Sequence, residues 1–204
     1  MEHVSIHPET PQKRYIRRAA EVLEQQEGIV IYPTDTVYGV GCAVGNHKKI
    51  KEISQILHRD PDRKFSFLCR DISQANEYIS ISDRAFKMLK KYTPGPFTFI
   101  LPASAFVKKR ISKKRKYIGI RIPDHPVIQS LLNQLHSPIA SISLNTAGEN
   151  RGDPNLFMTP EVLNGVDLML DSGPCEPPIP STIIDMTQNQ GEIIRQGKGQ
   201  WNEH

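Results

Sequence analysis

Apolar residues in this chain come in short runs rich in β-branched and aromatic side chains, separated by stretches with helical spacing. Ile29-Val30-Ile31-Tyr32 is the clearest run. Phe65 to Cys69, Phe97 to Leu101, Tyr117 to Ile122, Ile139 to Leu144 and Val166 to Leu170 read the same way. Between them, Tyr15, Ile16, Ala19, Val22 and Leu23 share one helical face. Ile50, Ile53, Ile56 and Leu57 share another, and so do Val127, Ile128, Leu131, Leu132 and Leu135. This alternation, with some strand runs adjacent, predicts an α/β fold. The sheet would be twisted, open and mixed, with helices on its faces.

Punctuation residues set the expected boundaries. Thr10-Pro11 reads as an N-cap and first-turn proline, and Gly28 as the end of that helix. Ser82 is placed to cap a helix carrying Phe86, Leu89 and Tyr92. Asp124 is placed to cap the helix after Arg121, and Thr159-Pro160-Glu161 to start a short one. Thr182 to Met186 and Glu192 to Arg195 suggest a closing hairpin around Gln190-Gly191. No repeat, low-complexity tract or composition shift interrupts the chain, so one domain over residues 1–204 is expected.

Composition narrows the class of function. Hydrophobic residues make up 38% and charged residues 24%, as in a globular protein. No apolar run approaches membrane-spanning length, and the first ten residues carry no apolar signal core, so a cytoplasmic protein without a membrane partner is expected. Cys42, Cys69 and Cys175 are widely separated and read as reduced thiols. Neither they nor the scattered histidines have metal-ligand spacing, so no protein-bound metal is expected. The formal net charge is +4, yet Lys108, Lys109, Arg110, Lys113, Lys114, Arg115 and Lys116 crowd one short run; the rest of the chain is acidic on balance. That run suits a polyanion such as RNA or nucleotide phosphates, and equally a solvated loop.

Small polar residues recur where strands end. The segments are 33–41 (PTDTVYGVG), 94–98 (PGPFT), 119–126 (GIRIPDHP), 141–148 (SISLNTAG), 181–185 (STIID) and 194–197 (IRQG). Glycines let a backbone approach a ligand, and hydroxyls and exposed N–H groups donate to it. Arg121 lies among apolar neighbours and needs a partner, either a carboxylate of the protein or an anionic ligand. Alternation puts Ser141, Ser143 and Asn145 on one side of their strand. His125, at a helix start, reads as a surface or capping residue. The phosphate-binding fingerprints GxxxxGK[ST] and GxGxxG, and the nucleophile motif GxSxG, are absent. What remains is a set of hydroxyls, amides and two arginines, suited to holding anions and positioning reactants.

These segments, in this order, resemble the YrdC-like threonylcarbamoyl-AMP synthase family from about Gly28 to Gly197. Residues 33–39 look like its PTxTxYG, 94–98 its PGPxT, Arg121 to Pro126 its RxPxHP, Ser143 to Asn145 its SxN, Ser181 to Ile183 its ST-[IV], and Arg195 to Gly197 its RxG. The resemblance implies a basic concave cleft and a reaction of ATP, bicarbonate and L-threonine, with Mg²⁺ carried by ATP. It implies that Thr34, Tyr38, Arg121 and Ser181 hold threonine. It implies that Arg59, Ser143, Asn145 and Arg195 hold the nucleotide, with Arg59, Ser143 and Asn145 nearest the chemistry. The product would feed threonylcarbamoyladenosine formation on tRNA.

One stretch departs from the family. Its synthases carry KxRP after the second helix; here Leu57 replaces the lysine, Asp60 replaces the proline, and Arg59 is kept. Arg63 or Lys64 is the conjectured substitute for the lysine. The run Phe65 to Asp71 and a C-terminus at His204, without the extra domain of longer synthases, look more like the YciO branch. For that branch the alternatives are a double-stranded RNA or nucleotide-binding module, or hydrolysis of the adenylate.

Overall fold

The computed structural model describes residues 1–59, 65–144, 153, 158–188 and 190–202. In chain order the elements are β1 (Glu2–Ser5), α1 (Lys13–Glu24), β2 (Val30–Tyr32), β3 (Gly39–Ala43), α2 (His47–Ile56), β4 (Ser66–Leu68), α3 (Ile72–Tyr78) and α4 (Asp83–Tyr92). They continue with β5 (Phe97–Pro102), α5 (Ala105–Arg110), β6 (Tyr117–Arg121), α6 (Pro126–Leu132), β7 (Ile139–Ser143), α7 (Pro160–Gly165), β8 (Leu168–Asp171), β9 (Thr182–Asp185) and β10 (Glu192–Arg195). Among the described residues the strands form one ten-stranded open sheet in the order β1-β8-β2-β3-β7-β4-β6-β5-β9-β10. Parallel and antiparallel pairs mix, as expected: β4 runs parallel to β6, while β7 is antiparallel to β3 and β4.

Period-two alternation sorts side chains between two faces. On the back, Phe67, Phe99, Ile118 and Ile120 pack with Ala75, Leu89 and Val107 of α3, α4 and α5. Ile31, Val40, Cys42, Ala140 and Ile142 pack there with Ile53 and Val162 of α2 and α7. On the front, Val30, Tyr32, Leu68, Ile139 and Leu168 pack under Ile16, Ala19 and Leu23 of α1 and Val127, Ile128 and Leu131 of α6. Those two helices roof only part of the front.

Several boundaries differ from the sequence reading. Helix α1 begins after Gln12, and the Thr10 hydroxyl is 3.0 Å from His7 Nδ1 instead of capping it. It caps at Gln25; Glu27 then takes the left-handed conformation (φ 52), and the Gly28 N–H returns to Val22 O at 2.7 Å. The cap of α6 is His125, whose Nδ1 accepts from the Val127 N–H at 3.2 Å; Asp124 is exposed. Ser82 does cap α4, but Phe86 is 45% exposed and only Ala85 and Leu89 are buried. The edge strand β1, the glycine-rich β3 and the short helices α3 and α5 have no counterpart in the sequence pattern.

Candidate functional site

The uncovered front is floored by small residues. Gly41 pairs with Ser141, Ser141 with Ser66, and Ser66 with Gly119. Residues directly opposite in a ladder share a face, so these four lie side by side. The Tyr32 phenol lies over the glycines and donates to Ser141 Oγ at 2.6 Å. A Cβ on Gly39 would stand 2.7 Å from Tyr32 Cε2, and one on Gly41 2.8 Å from Tyr32 Oη. Glycine is required there to let the ring lie down. Ser143 sits at the end of β7, opposite Gly39.

Arg121 ends β6 on this face, paired in register with Leu68. Its guanidinium is buried under the loop leaving β2. Nη2 lies 2.6 Å from Asp35 Oδ1, 2.7 Å from Thr36 Oγ1 and 3.1 Å from Thr34 Oγ1. Thr34 also donates to Val37 O at 2.7 Å, which fixes the loop's shape. So the partner that the sequence demanded of Arg121 is a carboxylate of the protein, Asp35. Two buried atoms of this pair, Arg121 Nε and Asp35 Oδ2, have no hydrogen-bond partner among the described residues.

Ser181 and Arg195 form a second cluster. Arg195 Nη2 donates to Ser181 O at 2.7 Å and lies 3.3 Å from its Oγ, and Ser181 Oγ is 2.9 Å from Thr98 Oγ1. Lys198 ties the two clusters together. Its N–H donates to Pro180 O at 2.9 Å, and its Nζ donates to Asp35 O at 2.7 Å. Between loop and tail lies a cavity of about 270 Å³, lined by Thr34, Asp35, Thr36, His125, Ser172, Cys175, Glu176 and Lys198. Burial lowers the His125 pKa, opposed by the carboxylates of Asp35, Glu9 and Asp124. Burial also raises the Cys175 thiol, chiefly opposed by its bond to Thr34 O.

The other candidates fall as follows. Tyr38 is buried toward the back, and its hydroxyl donates to Gly173 O at 2.8 Å and accepts from the Ser172 N–H at 2.9 Å. It therefore sets the cavity wall at Ser172 rather than lining the cavity itself. Leu57 caps α2 and packs against the back-face core. His58 takes the left-handed conformation (φ 48), and the Arg59 N–H returns to Ser54 O. Asn145, Asp60, Arg63 and Lys64 lie outside the described residues. Lys108, Lys109 and Arg110 lie on α5, and Lys113, Lys114 and Lys116 in the turn before β6, all exposed and at the opposite end of that strand from Arg121. Arg115 is the exception: its guanidinium is half-buried, 5.5 Å from the Phe67 ring centre, and desolvation lowers its pKa.

Sequence reasoning passed over Asp35, Thr36, Thr98 and Lys198 as separate site residues. Asp35 and Thr36 lie inside segment 33–41 and Thr98 inside segment 94–98, so the sequence carries a signal for all three. Lys198 carried none, because only the close packing of the tail against Pro180 brings it to the loop.

Known proteins resemble this chain in sequence and fold. The family model Sua5_yciO_yrdC, described as telomere recombination, matches residues 22–197. The uncharacterized protein YciO of Escherichia coli is 34% identical over 197 residues, 95% of this chain and 94% of that one. The crystal structure of E. coli YciO superposes with a TM-score of 0.87, covering 98% of both chains. A putative threonylcarbamoyl-AMP synthase of Methanocaldococcus jannaschii is 34% identical over 169 residues, 83% of this chain and 79% of that protein. The crystal structure of P. abyssi Sua5 complexed with L-threonine is 25% identical with a TM-score of 0.85, over 97% of this chain and 58% of that one.

Proposed function

Since the chain belongs to the Sua5/YciO/YrdC family, we propose that it binds ATP and L-threonine on the open front of its sheet and joins them, with bicarbonate, into threonylcarbamoyl-AMP. The observation that carries this reading is the buried Arg121–Asp35 pair with one donor and one acceptor left over. A buried polar atom without a partner is costly, at about 1–3 kcal/mol. An α-amino acid supplies both missing partners: its carboxylate accepts from Arg121 Nε, and its ammonium or hydroxyl donates to Asp35 Oδ2. Thr34 and Ser181 complete the enclosure, and Tyr38 holds its wall.

In this reading the threonine amine carries a carboxylate derived from bicarbonate. One oxygen of that carbamate bonds to the α-phosphorus of ATP as the bond from that phosphorus to the bridging oxygen breaks, and pyrophosphate leaves. Arg195, Ser143 and Arg59 hold the nucleotide by resemblance to the family, and Asn145 is assigned with them on the same ground. Mg²⁺ enters with ATP in this reading. Catalysis is then positioning and charge stabilisation, and the product serves tRNA threonylcarbamoyladenosine formation. The test is pyrophosphate release from MgATP and bicarbonate, measured with and without L-threonine. Release that ignores threonine would sink the assignment and leave hydrolysis in its place.

A second reading is favoured by one observation on the far side of β6. None of Lys108, Lys109, Arg110, Lys113, Lys114 and Lys116 forms an ion pair with a carboxylate among the described residues. Unneutralised exposed cations at that density attract phosphate backbones, and double-stranded RNA or tRNA is the partner proposed for them.

A further inference from the structure

Lys198 is the one cation of the cavity wall that no carboxylate among the described residues neutralises, although its side chain is held in place. Its Nζ donates one hydrogen to Asp35 O at 2.7 Å, which leaves two N–H groups. Its backbone is fixed on both sides. The Gly197 N–H donates to Thr182 Oγ1 at 2.9 Å, and Thr182 Oγ1 donates to Gly199 O at 2.6 Å. A Cβ on Gly199 would meet the Phe97 ring at 2.5 Å, and one on Gly197 would collide with Pro180 O. The lysine is therefore presented by a segment that cannot easily shift.

Among the described residues no carboxylate lies within ion-pair distance of it. Arg121 and Asp35 neutralise each other at 2.6 Å. Burial disfavours the charged form of His125, and its Nδ1 accepts from the Val127 N–H. Glu176 is exposed at the rim, where water screens it. A zwitterionic amino acid seated on Arg121 Nε and Asp35 Oδ2 brings no net charge, so the ammonium of Lys198 stays unmatched. A half-buried charge without a counter-charge favours an anion beside it.

We propose that Lys198 seats a second carboxylate of the amino-acid ligand, distinct from its α-carboxylate. This rests on the reading that the cavity takes an amino acid. Two ligands supply that chemistry. One is the carbamate, formed when the ammonium form of threonine and bicarbonate combine with loss of water and a proton. The other is an amino acid with an acidic side chain.

Titration calorimetry separates the sources. The wild-type protein is titrated with L-threonine alone, with L-threonine in bicarbonate buffer, and with L-glutamate, and the series is repeated on Lys198→Met, which keeps the apolar stem. The expected result is that bicarbonate or glutamate binding exceeds that of threonine alone by about tenfold in the wild type. In Lys198→Met the gain over threonine alone, both taken on that variant, should fall to less than about twofold. A gain with bicarbonate identifies the carbamate, and a gain with glutamate identifies the side-chain carboxylate. Equal binding of all three by the wild type overturns the proposal without recourse to any variant, and so does a gain that survives in Lys198→Met. Failure of every ligand to bind overturns the proposed function together with it.

Discussion

Arg121 reaches from the end of β6 to Asp35 in the loop leaving β2, at 2.6 Å, and joins two strands that are not neighbours in the sheet. The bond is buried on both sides, with side-chain exposures of 7% and 10%. Thr36 and Thr34 stand beside it on the same guanidinium nitrogen. Removing the charge of Arg121 leaves Asp35 buried and uncompensated. Arg121→Ala should cost about 3–5 kcal/mol of unfolding free energy in urea titration. A loss below about 1 kcal/mol would mean that water reaches the pair more freely than its burial implies.

The tail that carries Lys198 depends on Gly197. A Cβ there would collide with Pro180 O and stand 2.5 Å from Ser181 C, both backbone atoms that cannot swing aside. Gly197→Ala should therefore destabilise by about 1–3 kcal/mol. It should also weaken threonine-dependent pyrophosphate release more than its loss of stability explains, because Arg195 and Lys198 move with the tail. A variant that melts lower but works at full rate would separate the tail from the site.

Acidification should act through His125. Its folded pKa lies below the ordinary 6.5 because burial disfavours the imidazolium, so the unfolded chain takes up the proton first. Stability is then fully present above about 6.5 and falls as pH drops from there toward the folded value. Protonation also removes the Nδ1 acceptor that caps α6. His125→Asn keeps a capping acceptor and should flatten this part of the stability profile. An unchanged profile in that variant would assign the pH dependence to other groups.

The basic run should be separable from the cleft. Replacing Lys113, Lys114 and Lys116 with Ser should weaken RNA binding and reduce the slope of log affinity against log salt by about 0.7–0.9 for each phosphate that is no longer neutralised. Arg115 is left in place because its guanidinium packs over Phe67. Pyrophosphate release should not change. An unaltered salt slope would reduce the run to a solvated turn.

Much of the fold could be read from the sequence where a local pattern and the tertiary packing agree. Ile29 to Tyr32, Phe97 to Leu101 and Tyr117 to Ile122 become strands because both their composition and their burial demand it. β3 was hidden because Gly39-Val40-Gly41 lacks branched side chains at alternate positions, and those gaps serve the Tyr32 ring. β1 was hidden because it is an edge strand held by one parallel neighbour, β8, with only Val4 buried. The site was legible as a list of segments, since hydroxyls and glycines at strand ends mark it. Which side chains meet was not legible. The Arg121–Asp35 bond joins residues 86 positions apart, and the Lys198–Asp35 bond spans 163.

In the proposed reading the cavity lined by Thr34, Asp35 and Thr36 holds an amino acid against the Arg121–Asp35 pair. A crystal structure of the protein with L-threonine tests it most directly. The predicted result is a carboxylate oxygen within hydrogen-bond distance of Arg121 Nε, with the ammonium or hydroxyl on Asp35 Oδ2 or Thr34 Oγ1. Threonine bound elsewhere, or an Arg121 Nε left without a partner when threonine saturates the protein, would contradict it.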